Sequence, residues 1–290
     1  MHWAGKTQNF YLIYILPLGK FIFIYKRRNM AEHYMNQGKE YADARPNYPP
    51  QLFQFIASKT LSHNLAWDVA TGTGQAAKSL STFYKNVIAT DASEKQLEFA
   101  AKLPNIRYQH TPSTMSMTEL EQMVSSQGTV DLVTIAQALH WFDLSSFYKQ
   151  VNWVLKKPHG VFACWCYTSP RVNDAVDAML NNIYSLASKP SRDPRCELLE
   201  DHYSSIDFPF DPVEGVDHTG PFEFEGETVM DVDDFLNYIR SRSAYQALKK
   251  KGVELLKDDV VEKFKLAWGD DGQKTAKFEV YLRIGKVRDV

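Results

Sequence analysis

The sequence predicts an α/β fold: a doubly wound, seven-stranded, mostly parallel sheet with helices on both faces. Three observations predict it. Short apolar runs alternate with stretches of helical spacing from Leu52 to Tyr167, the pattern of crossover units that build a parallel sheet. The run Trp67-Asp68-Val69-Ala70-Thr71-Gly72-Thr73-Gly74-Gln75 reads as a strand ending in an acid, then a Gly-rich turn into a helix. Next comes Ile88-Ala89-Thr90-Asp91, a second strand ending in an acid. It lies about 20 residues on, where nucleotide folds commonly bind a ribose.

The elements follow in order. Tyr48-Pro49-Pro50-Gln51 predicts a turn into a first helix, since proline suits the first helical turn. Leu52, Phe55, Ile56 and Lys59 continue it at helical spacing. Leu65 to Val69 is a short buried strand, and Gln75 to Tyr84 a helix with Ala76, Ala77, Leu80 and Phe83 inward. Asn86 to Thr90 is the second strand. Ser93-Glu94-Lys95-Gln96 opens a third helix as a capping box, and Thr118-Glu119 opens a fourth, after a strand from Ile106 to Gln109. Val130 to Ala136 is a strong apolar strand. Asp143 caps a helix whose stripe is Phe147, Val151, Val154 and Leu155, and Pro158-His159-Gly160 stops it. Val161 to Tyr167 is the fifth strand.

After Pro170 the rhythm changes. Asn173 to Ala187 is helical, whereas Ser188 to Gly220 is rich in Pro, Asp and Ser without a period. Phe222 to Glu225 reads as a strand and Asp231 to Arg242 as a helix, with helical signal through Trp268. Phe278, Val280, Leu282 and Ile284 alternate in an antiparallel closing strand. Ligands of such folds lie beyond the carboxyl ends of the strands. The stretch 170–242 follows one of those ends, so it is expected to be a helical lid over the substrate.

Composition narrows the function. The chain has 290 residues, enough for a sizeable core, with 44% hydrophobic and 23% charged residues. Its formal charge is -2, from 33 basic against 35 acidic residues, with no basic face, which speaks against nucleic acid as partner. A small molecule fits better. Three cysteines, Cys164, Cys166 and Cys196, form neither a disulfide framework nor a usual zinc spacing, so a reduced, cytoplasmic protein without a metal is expected. A monomer and a homodimer are both compatible with the sequence. Phe10 to Tyr25 is apolar but broken by Pro17, Gly19 and Lys20, short of the roughly 20 residues of a spanning helix. Lys26-Arg27-Arg28 follows this stretch, whereas a secretory signal carries its charge first. Residues 1–29 are therefore expected to be an extension, disordered or artefactual, without stable membrane insertion. A weak membrane anchor is the alternative.

Three runs in this order carry a resemblance: Tyr41-Ala42-Asp43-Ala44-Arg45-Pro46-Asn47-Tyr48-Pro49, the turn Asp68 to Gly74, and Ala136-Gln137-Ala138-Leu139-His140-Trp141-Phe142-Asp143. They resemble the class I S-adenosylmethionine-dependent methyltransferases, and within them the methyltransferase type 11 group with its trans-aconitate methyltransferase-like plant members. The resemblance runs from about Met30 to the C-terminus. It implies a single methyltransferase domain over 30–290, S-adenosylmethionine as cofactor, and a small-molecule acceptor methylated on a carboxylate oxygen. Two departures stand out. The first glycine of the family's turn is Ala70, which does not freely take positive φ. The segment Thr111-Pro112-Ser113-Thr114-Met115 lacks the acid that relatives often place against adenine, leaving Ser113, Thr114 or a backbone carbonyl.

Candidate residues have two readings each. Asp68 orients the methionine ammonium, directly or through water, or caps the following turn. Ala70, Gly72 and Gly74 form the turn, where a missing Cβ allows the backbone to approach a cofactor. Asp91 binds the two ribose hydroxyls; Ser93 is better placed to cap the next helix. Gln96 is explained by its capping position alone. Gln137, His140 and Trp141 follow the fourth strand at the rim. His140 is a general base, a substrate-orienting group or a packed core histidine. The resemblance implies that Tyr41 and Arg45 fold over the cofactor, with Arg45 against a carboxylate. Arg240 and Arg242, in the expected lid, are further anchors for an acidic substrate.

Two other readings remain open. Gly72-Thr73-Gly74-Gln75-Ala76-Ala77 also fits a G-x-G-x-x-A turn of NAD(P)-dependent oxidoreductases. A degenerate, non-catalytic methyltransferase fold that binds a partner protein is the second.

Overall fold

A computed structural model describes residues 13–15, 21–23, 47–191, 194–269 and 272–288. Ile13–Ile15 and Phe21–Phe23 pair antiparallel as a sheet of their own. The expectation for residues 1–29 otherwise falls outside the described residues, as do Tyr41 and Arg45.

Pro50–Ser58 (α1) starts on a proline at its first position and buries Leu52, Phe53, Ile56 and Ala57. The strands are β1 (Leu65–Val69), β2 (Asn86–Asp91), β3 (Ile106–His110), β4 (Leu132–Ala136), β5 (Val161–Tyr167), β6 (Phe222–Met230) and β7 (Lys274–Lys286). Their spatial order is β3-β2-β1-β4-β5-β7-β6. The first five are parallel; β7 runs antiparallel between β5 and β6.

Helices α2 (Gln75–Leu80), α3 (Glu94–Glu98), α4 (Met117–Met123) and α5 (Leu144–Val154) cross between these strands. Then come α6 (Asp174–Ser191), α7 (Glu197–Glu200), α8 (Val232–Ser241), α9 (Ser243–Lys249) and α10 (Asp258–Trp268).

Strand alternation divides the core in two. Ala66, Ala163, Trp165, Phe278, Val280, Leu282 and Ile284 face one apolar layer with α1, α2, α8 and α10. Trp67, Val69, Phe162, Cys164, Cys166 and Tyr281 face the other, with α4, α5 and the segment Tyr203 to Phe210. Both β5 cysteines are thus core residues, and burial pushes the Cys166 thiol up to about 12.

Several boundaries differ from expectation for local reasons. Helix α2 ends at Leu80 instead of Tyr84. Helix α4 starts at Met117, because Ser116 and Glu119 form the capping box and Thr118 lies inside the helix. Strand β6 extends to Met230, since β7 pairs with all nine of its residues. Among the described residues of the stretch without a period, α6 runs on to Ser191, and the turn Pro194–Cys196 and the single helical turn α7 follow.

Candidate active site

A cavity of about 290 Å³ opens beyond the carboxyl ends of β1, β2, β4 and β5, where open α/β sheets bind ligands. Its floor is the turn after β1. Asp68 is fully buried, with Oδ2 accepting from Thr71 Oγ1 (2.5 Å) and Oδ1 from Thr134 Oγ1 (2.7 Å). Burial raises its pKa to about 6, against the lowering effect of the two hydroxyls. Thr71 N donates to Thr90 O (2.9 Å), which holds the turn against β2.

The turn needs left-handed backbone at three places. Ala70 has φ +52°, Gly72 +60° and Gly74 +83°. A Cβ at Gly72 would lie 2.9 Å from Gln96 Oε1, and one at Gly74 only 2.5 Å from Tyr108 Oη. Ala70 adopts the conformation that its residue type disfavours, at the edge of the cavity.

Asp91 ends β2 at the cavity. Its Oδ2 accepts from Gly72 N and its Oδ1 from Ser93 N, both at 2.8 Å. It therefore ties the Gly-rich turn to the start of α3. Burial is the first cause of its raised pKa, opposed by these amides.

Past β4, Gln137 is left-handed (φ +55°) and donates its N–H to Trp165 O. Its side-chain oxygen accepts from Tyr167 N (2.9 Å) and its amide nitrogen reaches Tyr167 O (3.3 Å). A 3-10 turn, Leu139–Trp141, then buries Leu139 and brings His140 and Trp141 to the cavity. His140 is 4% exposed; its Nδ1 lies 2.9 Å from Tyr203 Oη, and its ring packs on Trp141 at 4.4 Å. Arg195 lies over the Trp141 ring at 4.9 Å.

Tyr48, Tyr167 and Arg242 also line the cavity. Arg242 follows α8 in extended conformation and donates to Tyr238 Oη (2.7 Å). Its guanidinium lies 5.2 Å from the Tyr184 ring and 5.6 Å from the Tyr238 ring. Among the described lining residues it is the one Lys or Arg.

The structure thus brings Ala70, Gly72, Asp91, Gln137, His140 and Trp141 around one cavity. Three of the expected residues stand apart from the cavity surface. Gly74 does not line it; its missing Cβ makes room for Tyr108. Asp68 lies behind the turn, not on the cavity surface, because its oxygens bond Thr71 and Thr134. Arg240 points elsewhere, donating to Asn237 Oδ1, because it lies inside α8 while Arg242 lies past its end.

Local spacing does not mark Gln96, Tyr48, Tyr167 and Tyr203 as ligand or support residues. Gln96 does cap-region work, yet it also lines the cavity under Gly72. Tyr48 sits within the quoted R-P-x-Y-P run, which was its available signal. The segment Thr111 to Met115 forms the remaining wall, with Ser113 and Thr114 on it. Among the described residues, no group of three His, Cys, Asp or Glu could hold a metal ion. No helix among them is long and apolar enough to cross a membrane.

Residues 67–164 match the family described as a methyltransferase domain. A Dictyostelium discoideum protein named as a methyltransferase is 28% identical over 86% of this chain and 92% of its own length. A Saccharomyces cerevisiae protein named as an S-adenosylmethionine-dependent methyltransferase is 32% identical over 52% of this chain and 53% of its own. The solved structure of a protein named as a type II methyltransferase, from Anaeromyxobacter dehalogenans, superimposes with a TM-score of 0.70 at 28% identity. That match covers 84% of this chain and 99% of the other. The strand order is that of a Rossmann-like class I methyltransferase fold, and the chain is an S-adenosylmethionine-dependent methyltransferase enzyme. The nicotinamide reading is set aside on the same grounds: a methyltransferase domain matches, and β7 enters the sheet antiparallel between β5 and β6.

Proposed function

We propose that this methyltransferase binds S-adenosylmethionine in the cavity and methylates a carboxylate oxygen of a small organic acid. The residues fit such a cofactor. Gly72 and Asp91 line the cavity side by side, with the Gly72 amide on Asp91 Oδ2. Asp91 would hold the ribose, Ala70 and Gly72 the tail, and the Ser113 and Thr114 segment the adenine. Asp68 would act from behind the turn on the ammonium group. The cofactor, when bound, supplies an activated methyl group.

The acceptor class rests on one observation: Arg242 is the one cation among the described lining residues, set between two tyrosine rings. Planar guanidinium suits a carboxylate. Similarity of the quoted runs to trans-aconitate methyltransferase-like proteins supports the same class. A carboxylate is ionised at neutral pH, so no residue need remove a proton. The protein's work is then alignment and exclusion of water. Arg45 belongs to the proposal as a second anchor, and residues 170–242 as a lid. The three free cysteines support a cytoplasmic location.

Calorimetry with S-adenosylmethionine, S-adenosylhomocysteine and NAD tests the cofactor. Binding of the first two alone is expected; binding of none would favour the non-catalytic, partner-binding alternative. A screen with radiolabelled donor over acids, amines, phenols and thiols tests the acceptor. An ester labile to mild base is expected. A base-stable product with no acid accepted would end the carboxylate assignment.

A further inference from the structure

We infer that Gln150 recognises the adenine of the cofactor: its side-chain oxygen accepts from the exocyclic amino group, in place of the acid that the Thr111 to Met115 segment lacks. The inference rests on the reading of the cavity as the S-adenosylmethionine site and adds to it a residue that reads the base.

Two walls close one end of the cavity. The segment Thr111 to Met115, between β3 and α4, is the first. Helix α5 is the second, through Ser146, Phe147 and Gln150. Ser146 and Gln150 stand one helical turn apart and share a face. Thr111 N donates to Asp91 O (3.0 Å), so the first wall begins beside the acid assigned to the ribose. A base joined to that ribose falls between these walls. Helix α5 is a firm support for its side: Asp143 caps it by accepting from Ser146 N (2.9 Å), and Phe147 and Val151 are buried in the second core layer.

Gln150 joins the two walls. Its Nε2 donates to Met115 O (2.5 Å), 35 residues away in sequence. A backbone carbonyl oxygen only accepts, so this bond settles which end of the amide is which. The nitrogen lies on Met115, and the oxygen remains as the acceptor of a residue that lines the cavity. Among the described residues no hydrogen bond reaches that oxygen. Thr111, Ser113, Thr114 and Ser146 bring hydroxyls to the same end. A hydroxyl rotates and can donate or accept, so it does not separate an amino group from an oxygen. An amide held by its nitrogen presents an acceptor in a fixed place. Adenine carries an amino group where hypoxanthine carries an oxygen, and the fixed acceptor favours the first.

The test is calorimetry of the full chain with S-adenosylhomocysteine and with S-inosylhomocysteine, in which an oxygen replaces the amino group. The wild type should bind the adenosine form about tenfold tighter. Gln150→Met keeps the length of the side chain and removes its acceptor. The preference should then fall to about one, chiefly through weaker binding of the adenosine form. Gln150→Glu loses the donor to Met115 but keeps acceptor oxygens, so it should keep the preference. A Gln150 that only holds Met115 would weaken both ligands alike in both variants and leave their ratio unchanged. That result would overturn the inference, since the amino group would then be read by another acceptor of the cavity. Equal binding of the two ligands by the wild type would overturn it as well. If Gln150→Met does not fold, the ratios of the wild type and of Gln150→Glu decide. Binding of neither ligand by the wild type would overturn the cofactor reading, and this inference with it.

Discussion

Asp68 and Asp91 end neighbouring strands, yet the fold uses them differently. Asp91 faces the cavity with both oxygens already accepting amides. Asp91→Ala should weaken S-adenosylhomocysteine binding by about 1.5–3 kcal/mol, the range for hydrogen bonds to a charged group. Calorimetry on the folded variant checks this, and unchanged affinity would remove the ribose assignment. Asp68 lies under the turn with its pKa raised from 3.8 to about 6. Between those values the folded state binds a proton that the unfolded state has lost, so stability falls as pH rises through that window. Relative to Asp68→Asn, the wild type should lose up to about 3 kcal/mol between pH 4 and pH 7. Denaturant titrations of both proteins at several pH values measure that difference; a pH-independent gap would refute it. Ala70 holds φ +52° in the position where the family has glycine. Ala70→Gly should stabilise the fold by about 1 kcal/mol, since the left-handed conformation costs an L-residue about 1–2 kcal/mol. A lowered melting temperature would contradict that account.

At the scale of elements, β7 joins the fold to the site. One face packs Phe278, Val280 and Leu282 into the first core layer. From the other face Arg283, 7% exposed, reaches the carbonyls of Tyr203, Ser204 and Thr219, with Phe208 under its guanidinium at 4.7 Å. Arg283→Met would keep the side-chain volume but leave those oxygens without their donor. The expected loss is about 3 kcal/mol. Its location should show as faster proteolysis within 197–220 than in the parallel strands. Uniform sensitivity along the chain would mean that Arg283 supports the whole sheet and not this segment. Caps were easier to read than such clamps. Ser93 accepts from Gln96 N and Asp143 from Ser146 N, as their three-residue spacing implies.

At the scale of the whole molecule, the match to the Anaeromyxobacter dehalogenans structure covers 84% of this chain. The resemblance in the sequence begins near Met30. A chain shortened to start at Met30 should therefore keep the melting temperature and the S-adenosylhomocysteine affinity of the full length. Loss of folding, or membrane partitioning of the full-length chain alone, would overturn this expectation. The sequence by itself determined the α/β class, the succession of strands and helices, the Gly-rich turn and the two strand-end acids. Those features are written locally, in apolar periodicity, caps and a turn whose residues are contiguous. Only the tertiary structure decided that Gly74 yields to Tyr108, that Arg242 and not Arg240 lines the cavity, and that Tyr203 meets His140. The reason is physical. A side chain's direction at a helix end turns over within two residues, and contacts across 63 residues depend on the packing of the sheet, which no local spacing encodes.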